Sequence, residues 1–247
     1  MNVKDKIAIV TGASSGIGLA TARLLSQKGA RVILVARSKE KLEKAAKGLL
    51  NSLVIQADMT KKEEIRKMIK KSKDHFGRID ILVNNAGQGY DASIEDTDID
   101  IFHKLFELDV VGPLIAIQEV APIMRKQGGG TIINISSGTA LMALPNMSAY
   151  SSLKRALAGI SLTANEEFKK DKIVVSVVYP YITLTDFEKN TIKAKNIKDF
   201  EWEEEEESDF QPPDSAEYVA EKIVEGIEDE EIKVYVHDWM KKMGSTS

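Results

Sequence analysis

The chain of 247 residues contains no cysteine, and this absence excludes several kinds of chemistry. Without a thiol there is no disulfide framework, no cysteine nucleophile, and no thiolate ligand for zinc or an iron–sulfur cluster. Histidine is scarce as well, because only His75, His103 and His237 occur and they lie far apart in the sequence. We therefore expect no metal site built on a local motif.

The chain also lacks an excess of positive charge and long hydrophobic runs. Its 34 Lys and Arg residues are outnumbered by 38 Asp and Glu residues, so the formal charge is -4. An acidic chain without a basic stripe is poorly suited to bind a nucleic acid backbone. Apolar runs such as 110–117 and 174–181 are too short to cross a bilayer, and the first residues lack the pattern of a secretory signal. We expect a cytoplasmic protein with no membrane or nucleic acid partner.

What the sequence does contain is an alternation of short β-branched runs and longer amphipathic stretches. The runs are mostly apolar, which is typical of parallel strands covered on both faces. The predicted strands are 7–11, 32–36, 53–56, 81–84, 131–136, 174–179 and 233–236. The predicted helices cover roughly 17–28, 39–50, 61–75, 98–126, 149–169 and 215–228. This alternation predicts an α/β fold with a doubly wound parallel sheet and helices on both faces.

Two segments interrupt the alternation. One is the acidic connection 91–100, and the other is the longer stretch 183–213. A connection of that length in a compact domain is usually functional, so we interpret 183–213 as a variable lid within a single domain spanning 1–247. The five glutamates at 203–207 either attract a cationic substrate or form a solvated surface, and the second interpretation is favoured because like charges seldom pack together.

The first predicted strand leads directly into a glycine-rich turn, and an amphipathic helix follows. The turn reads Thr11-Gly12-Ala13-Ser14-Ser15-Gly16-Ile17-Gly18. Gly12 allows a sharp turn, Gly16 lets a pyrophosphate approach the N–H groups at the helix start, and Gly18 lets the helix pack closely on the strand. A tight connection without a ligand is the alternative. The position between the first strand and a helix favours a dinucleotide-binding, Rossmann-type unit.

The residue that follows the second strand bears on the choice of dinucleotide. NAD-preferring units usually have an acidic residue there that binds the ribose hydroxyls. This chain has Arg37 instead, whose guanidinium can pair with a 2′-phosphate. A solvated arginine at the strand end is the alternative. NADP(H) is therefore favoured over NAD(H).

A tyrosine and a lysine stand four residues apart at the start of a predicted helix, so their side chains share one face. They are Tyr150 and Lys154. A nearby ammonium stabilises a phenolate and makes the phenol a usable proton donor or acceptor. Ser137 lies just past the fifth strand, where its hydroxyl can orient a carbonyl oxygen. The pair by itself is a weak signal, because such spacing also arises by chance.

Together these motifs resemble the classical short-chain dehydrogenase/reductase family over essentially the whole chain. The matching residues are the Thr11–Gly18 turn, Asp58, Asn84-Asn85-Ala86-Gly87, Asn134-Ile135-Ser136-Ser137, Tyr150-Ser151-Ser152-Leu153-Lys154, and Pro180 followed by Thr185. The resemblance implies a single-domain Rossmann-type sheet of about seven strands.

The resemblance also implies roles for the individual residues. Tyr150 would be the general acid of carbonyl reduction and the base of alcohol oxidation, and Lys154 would bind the nicotinamide ribose and depress the pKa of Tyr150. Ser137 would hold the substrate oxygen. The cofactor contacts would be Gly12, Ser14, Ser15, Gly16, Ile17, Gly18, Arg37, Asp58, Asn85, Ala86, Gly87, Tyr150, Lys154, Pro180, Thr183 and Thr185.

Two of these contacts have ordinary structural alternatives. Asp58 would hydrogen-bond the adenine, but it is also placed to be a carboxylate flanking a helix. Thr185 would touch the carboxamide, but it is also placed to be a capping hydroxyl. Asn85 would help to fix the fourth strand and the cofactor beneath it.

The chain departs from the family pattern at Asp109, where the family has a catalytic asparagine in N-x-x-G. That asparagine kinks the helix and helps to retain a water in the proton relay. Aspartate has a similar shape but adds negative charge, which should raise the pKa of Tyr150 or compete with it for the field of Lys154. We therefore interpret Asp109 as a fourth catalytic residue and expect alcohol oxidation to need a higher pH than usual.

The second departure is Tyr181, where the family commonly has glycine after proline. A phenol ring there is expected to narrow or line the substrate side, or to shift the loop. Ligands of open α/β sheets lie beyond the carboxyl ends of the strands. This rule predicts a largely apolar substrate pocket, lined in addition to Ser137 and Tyr150 by Gln88, Thr139, Leu141, Tyr181 and Phe187.

The sequence therefore predicts an NADP(H)-dependent oxidoreductase that acts on a small-molecule carbonyl compound or secondary alcohol. The alternative is a catalytically impaired nucleotide-binding regulator or scaffold, supported only by Asp109 and Tyr181. A Rossmann-like transferase would have no use for the tyrosine–lysine pair. The resemblance also implies a homodimer or homotetramer assembled through the helices near 112–126 and 149–169.

Overall fold

The computed structural model describes residues 1–195, 197 and 211–243. Residues 196 and 198–210 of the predicted lid, which include the glutamates at 203–207, lie outside the described residues. None of the helices within the described ranges has the length and apolarity needed to cross a membrane.

The described strands are mostly short apolar runs. They are β1 Ile7–Thr11, β2 Arg31–Ala36, β3 Leu53–Gln56, β4 Ile81–Asn84, β5 Tyr90–Asp91, β6 Gly130–Ile135, β7 Ile173–Tyr179, β8 Thr183–Leu184, β9 Ile192–Lys193, β10 Asp214–Ser215 and β11 Lys233–Tyr235. Seven of them form one parallel sheet in the order β11-β7-β6-β4-β1-β2-β3. This order confirms the predicted doubly wound sheet, and each predicted strand of this sheet agrees with the observed one to within one residue.

The helices cover both faces of the sheet. They are α1 Gly16–Gln27, α2 Lys39–Ala45, α3 Lys62–Phe76, α4 Ile99–Phe106, α5 Gly112–Gln127, α6 Ser148–Phe168, α7 Phe187–Asn190, α8 Ala216–Glu228 and α9 Met240–Met243. The buried side chains of α1, α2 and α8 form one core with the sheet, and those of α3, α5 and α6 form a second core on the other face. Two apolar layers thus exclude water from the strands.

The strand order reverses between β1 and β4, which are neighbours in the sheet although α1, α2 and α3 separate them in sequence. A crevice opens beyond the carboxyl ends of strands at such a reversal, because the connections leave in opposite directions. The glycine-rich turn follows β1, and the segment beginning with Asn85 follows β4. Both motifs therefore border the same crevice.

The structure corrects two predicted helices. The helix predicted over 39–50 ends at Ala45, since Gly48 and Asn51 adopt left-handed backbone angles that an α-helix does not accommodate. The helix predicted over 98–126 is interrupted by a π-helical segment, Glu107–Val111. Such wide turns often occur at functional sites, and this one contains Asp109.

The two segments that interrupted the sequence alternation pair with each other. Strand β5 lies in the acidic connection and β9 lies in the predicted lid, and the two form a parallel two-stranded sheet. Strand β8, at the start of the lid, pairs in the same way with β10 at its end. The described part of the lid is thus held to the domain by backbone hydrogen bonds.

Candidate active site

The connections after β1 and β4 are joined by one threonine hydroxyl. Thr11 Oγ1 donates to the carbonyl of Val83 at 3.3 Å and accepts the N–H groups of Asn85 and Ala86, each at 3.0 Å. In return, Asn85 Nδ2 donates to the carbonyl of Thr11 at 2.9 Å. These contacts tie the segment that begins with Asn85 to the end of β1.

The glycines of the turn are needed where the backbone is crowded or left-handed. Gly12 has φ of 66°, and a Cβ there would lie 2.7 Å from Asn85 Nδ2. A Cβ on Gly18 would collide with the same amide and would lie 2.6 Å from the carbonyl oxygen of Gly12. A side chain at either position would push α1 away from β1.

The start of α1 has the features of an anion site. Ser15 is the N-cap in an extended conformation, and its side chain makes no capping hydrogen bond within the described residues. The first N–H groups of the helix are therefore not satisfied by a cap, and the helix dipole favours negative charge there. Ser14 and Ile17 flank this position. Gly16 has φ of 54°, and a Cβ on it would lie 3.1 Å from the methyl carbon of Thr185.

Arg37 and Asp58 lie just beyond the ends of β2 and β3. Arg37 is exposed, and its guanidinium makes no ion pair with any residue that the structure describes. One oxygen of Asp58 accepts the N–H and the hydroxyl of Thr60, both at 2.9 Å. This contact matches the helix-flanking alternative for Asp58.

The tyrosine and the lysine of the predicted relay are both buried on α6. Tyr150 is 7% exposed and Lys154 is 3% exposed. The ammonium of Lys154 lies 5.6 Å from the centre of the Tyr150 ring, so its charge acts on the phenol through a water-poor interior. Ser137 Oγ accepts hydrogen bonds from the backbone and the hydroxyl of Thr139, at 3.2 and 3.1 Å.

The fourth member of this cluster is the aspartate of the π-helical segment. Asp109 is fully buried, and its Oδ1 lies 2.7 Å from Lys154 Nζ. Its Oδ2 accepts the N–H of Gln88 at 3.4 Å, and Lys154 Nζ donates to the carbonyl of Ile135 at 3.1 Å. A Cβ on Gly87 would lie 2.7 Å from Asp109 Oδ1, so this glycine makes room for the pair.

The charges of the cluster act on the proton affinities of its members. Burial is the largest effect on Tyr150 and raises its pKa. The ammonium of Lys154 and a hydrogen bond with Ser137 lower this pKa, whereas the carboxylates of Asp109 and Asp91 raise it. The net result is a raised pKa. Burial by itself lowers the pKa of Lys154, but Asp109 and the phenol outweigh this effect and raise it. Burial raises the pKa of Asp109 against the field of Lys154. The raised pKa keeps Lys154 in its charged ammonium form at neutral pH.

A ladder of buried amides and hydroxyls supports α6 from beneath. Asn84 Nδ2 donates to Asn134 Oδ1, and Asn134 Nδ2 donates to Ser161 Oγ, each at 2.8 Å. Ser136 Oγ donates to the carbonyl of Lys154 at 2.9 Å. A role for Ser161 was not predicted from the sequence. The available signal was the presence of asparagines in otherwise apolar strands, since a buried amide requires partners.

The lid covers this cluster with its first residues. The ring of Phe187 lies 6.0 Å from the ring of Tyr150, and Gln88 Nε2 donates to the carbonyl of Asn190 at 2.9 Å. Thr185 Oγ1 accepts the N–H of Phe187 at 3.1 Å, which matches the capping alternative for Thr185. Thr183 Oγ1 donates to the carbonyl of Tyr181 at 2.8 Å. Of the predicted pocket residues, Phe187 is thus brought close to Tyr150, and Gln88 contacts Asp109 and the lid.

The ring of Tyr181 makes its aromatic contacts with the C-terminal segment and not with Tyr150. It is 8% exposed and packs edge-on against His237 and Trp239, with ring centres 5.8 and 5.4 Å away. Its hydroxyl has no hydrogen-bond partner among the described residues. Leu141 packs against the same cluster, and the carbonyl of Pro180 accepts the N–H of Gly138 at 2.7 Å. These contacts give Tyr181 a packing role next to the C-terminal segment.

Known proteins share this sequence and this fold. A family model described as short chain dehydrogenase matches residues 6–196. An uncharacterized oxidoreductase of Staphylococcus epidermidis is 36% identical over 205 residues, which are 80% of this chain and 89% of the relative. One from Staphylococcus aureus is 37% identical over 178 residues, covering 71% of this chain and 77% of the relative.

Solved structures agree with the fold over almost the whole chain. A short-chain dehydrogenase from Streptomyces avermitilis superposes with a TM-score of 0.85 at 28% identity, covering 99% of this chain and 92% of the other. A short chain dehydrogenase/reductase from Burkholderia phymatum, solved in complex with NAD, has a TM-score of 0.86 at 20% identity, with coverages of 99% and 93%.

The sheet, the crevice at its strand reversal and the glycine-rich turn define a dinucleotide-binding type of α/β protein. With the family match over most of its length, the chain belongs to the short-chain dehydrogenase/reductase family of oxidoreductases.

Proposed function

We propose that the chain is an NADP(H)-dependent oxidoreductase that acts on a carbonyl compound or a secondary alcohol. The observation that carries the proposal is the cluster of the buried Tyr150 and Lys154 with the partly buried Ser137 at the carboxyl edge of the sheet. A phenol that is polarised by an ammonium and bordered by a hydroxyl is suited to exchange a proton with a substrate oxygen.

The residues of the crevice fit a dinucleotide. The uncapped start of α1 suits a pyrophosphate, because its first N–H groups lack a capping partner and the helix dipole attracts negative charge. Lys154 would bind the ribose next to the nicotinamide, with Asn85 to Gly87 and Thr185 along the same side. When bound, the nicotinamide supplies or accepts the hydride, and the protein supplies the proton.

The protein residues would divide the proton chemistry among themselves. Tyr150 would donate its hydroxyl proton to a carbonyl oxygen during reduction and accept a proton from an alcohol during oxidation. Ser137 would orient that oxygen, because its hydroxyl borders the phenol and is itself held by Thr139. Phe187 would help to keep water from the phenol, since the centre of its tilted ring is 6.0 Å from that of Tyr150.

The decisive experiment pairs activity with binding. We expect a panel of carbonyl compounds to include one that consumes NADPH, and Tyr150→Phe to lower kcat about 100-fold or more while NADP⁺ still binds. Tyr218→Phe is the matched control, because that phenol donates to the carbonyl of Val236 and lies outside the cluster. Nucleotide binding without turnover of any compound would instead favour the regulator or scaffold.

The preference for NADP(H) rests on Arg37. Its guanidinium is exposed just beyond β2 and can make two charge-assisted hydrogen bonds to a 2′-phosphate. The Burkholderia structure contains NAD. The structure of a 3-ketoacyl-(acyl-carrier-protein) reductase from Brucella melitensis contains NADH and has a TM-score of 0.85 at 23% identity. This match covers 95% of this chain and 97% of the other chain. The choice of cofactor therefore needs its own test.

Calorimetric titration with NADP⁺ and NAD⁺ provides that test. We expect NADP⁺ to bind more tightly, and Arg37→Gln to lose about tenfold or more in NADP⁺ affinity with little change for NAD⁺. Arg31→Gln is the control, because Arg31 is an exposed arginine at the opposite end of the same strand. Equal losses for both cofactors would show that Arg37 does not read the 2′-phosphate.

We further propose a homodimer or homotetramer in the cytoplasm, with α5 and α6 forming the subunit contact. Most of the buried residues of these helices face the sheet, so the contact would use the partly exposed positions beside them. Light scattering coupled to size-exclusion chromatography would measure the mass, and a monomer at micromolar concentration would contradict the proposal.

A further inference from the structure

The strongest local electrostatic feature of the site is the ion pair between Asp109 and Lys154. Both side chains are within a few per cent of complete burial, and 2.7 Å separates Oδ1 from Nζ. A buried charge whose partner is removed is strongly destabilising, because neither water nor another ion compensates it. The pair therefore has to persist as a unit in the folded protein.

The geometry leaves the lysine little freedom. An ammonium has three N–H bonds. The contacts of Nζ with Asp109 and with the carbonyl of Ile135 leave at least one N–H for a ligand or for the phenol. The backbone of Gly87 also lies close to the ammonium, since a Cβ on this residue would be 3.1 Å from Nζ. These neighbours thus fix the position of the Lys154 ammonium before any ligand binds.

We propose that Asp109 is a positioning residue that acts through Lys154: the buried carboxylate holds the ammonium and balances its charge, and so keeps the Tyr150 hydroxyl protonated and the site biased toward carbonyl reduction. This inference rests on the proposed function. It extends that proposal by assigning the direction of the proton transfer to one residue of this chain.

The charges that face the phenol support this assignment. On its own helix the phenol faces Lys154, and across the site it faces Asp109 in the π-helical segment and Asp91 in β5, with the Ser137 hydroxyl beside it. One ammonium is thus set against two carboxylates in a buried space. Burial and the two carboxylates together raise the pKa of Tyr150 against the lowering effects of Lys154 and the Ser137 hydroxyl, so the residue is a proton donor at neutral pH.

The test is a titration of Tyr150 in the cofactor-free protein, which is independent of turnover. Tyrosine labelled with ¹³C at Cζ reports the phenolate by NMR, and Tyr150→Phe identifies the signal among the six tyrosines. We expect Tyr150 to ionise above the ordinary tyrosine value of about 10 in the unaltered protein. In Asp109→Asn we expect ionisation at lower pH, because the amide keeps the shape of the side chain and the phenolate becomes the nearest anion for the ammonium.

Asp91→Asn is the matched control. It also removes a carboxylate that acts on Tyr150, but this carboxylate lies in β5 and is only partly buried, and its effect on Tyr150 is weaker than that of Asp109. The expected shift in this variant is smaller than in Asp109→Asn. A shift of equal size in both variants would mean that general charge removal, and not the ion pair, is responsible.

A second readout is the pH profile of turnover in both directions. In Asp109→Asn, oxidation of the alcohol should reach its maximum at lower pH, and reduction should decline at a lower pH than in the unaltered protein. The inference would be overturned if Tyr150 titrated identically in the unaltered protein and in Asp109→Asn. It would also be overturned if Tyr150 ionised below the ordinary tyrosine value in the unaltered protein, and this second measurement does not depend on the folding of a variant. Failure of the proposed function is distinct, because it would appear as absence of nucleotide binding and of turnover.

Discussion

At the scale of single residues, buried polar side chains hold the active-site helix in place. Asn84, Asn134 and Ser161 connect β4, β6 and α6 by two side-chain hydrogen bonds at 2.8 Å, inside an otherwise apolar interior. Each buried amide group costs free energy unless it is paired. The ladder therefore specifies how α6, with Tyr150 and Lys154, sits on the sheet.

Replacing Ser161 by alanine should destabilise the fold. The substitution leaves one N–H of Asn134 unpaired in the interior, at a cost of about 1–3 kcal/mol in the free energy of unfolding. Chemical denaturation measures this change. Ser152→Ala is the control on the same helix, because Ser152 is exposed and donates only to the carbonyl of Ala149. A control as destabilised as Ser161→Ala would contradict the assignment.

The residue scale also shows what sequence reasoning could recognise. The glycine-rich turn could be predicted because Gly12, Gly16 and Gly18 have a characteristic spacing between a strand and a helix. From the sequence, Asp109 was expected to raise the pKa of Tyr150 or to compete with it for the field of Lys154. The structure adds the direct contact between this carboxylate and the ammonium, which sequence reasoning did not predict.

At the scale of elements, the glycine-rich turn brings α1 unusually close to the end of β1. The closest points are Gly18, the carbonyl of Gly12 and the side chain of Asn85. A helix can approach a strand this closely only where no Cβ intervenes. Close packing here also aims the start of α1 into the crevice.

Gly18→Ala should therefore destabilise the protein and weaken nucleotide binding together. The added methyl group would meet backbone rather than a flexible side chain, and overpacking of this kind costs about 1–3 kcal/mol. Thermal unfolding and nucleotide titration measure the two effects. In Gly159→Ala, where a Cβ on α6 meets nothing within 4 Å, we expect stabilisation by about 0.5–1 kcal/mol. Unchanged stability in Gly18→Ala would refute the close-packing argument.

The elements of the central sheet could be predicted because a buried parallel strand is an apolar run in its own sequence. The pairing of β5 with β9 could not be predicted in this way. Its two strands have only two residues each and belong to connections that are far apart in the chain. Their hydrogen bonds depend on where the rest of the domain places them.

At the scale of the whole molecule, two apolar cores enclose one sheet and the ligand crevice lies between the elements that they support. Ligand binding in the crevice should therefore stabilise the entire domain. The structure contains the turn and the lid residues already close together, with Thr185 against Gly16. A preformed crevice of this kind requires little rearrangement on binding.

Saturation with NADP⁺ should raise the free energy of unfolding by about 2.7 kcal/mol at a concentration of 100 times Kd. NAD⁺ at the same concentration should stabilise less, since it lacks the phosphate that Arg37 would bind. Denaturant unfolding with each nucleotide checks this expectation. In Arg37→Gln the two nucleotides should stabilise equally, and a persistent difference would assign the preference to another residue.

The sequence by itself determined the doubly wound sheet, the dinucleotide turn and the tyrosine–lysine pair, because these features depend on residues close together in the chain. An apolar run, a glycine spacing and a four-residue helical separation are all local. Only the tertiary structure decided that Asp109 pairs with Lys154, that Tyr181 packs against His237 and Trp239, and that the lid pairs with β5. These contacts join distant segments, and their partners are selected by the packing of the folded domain.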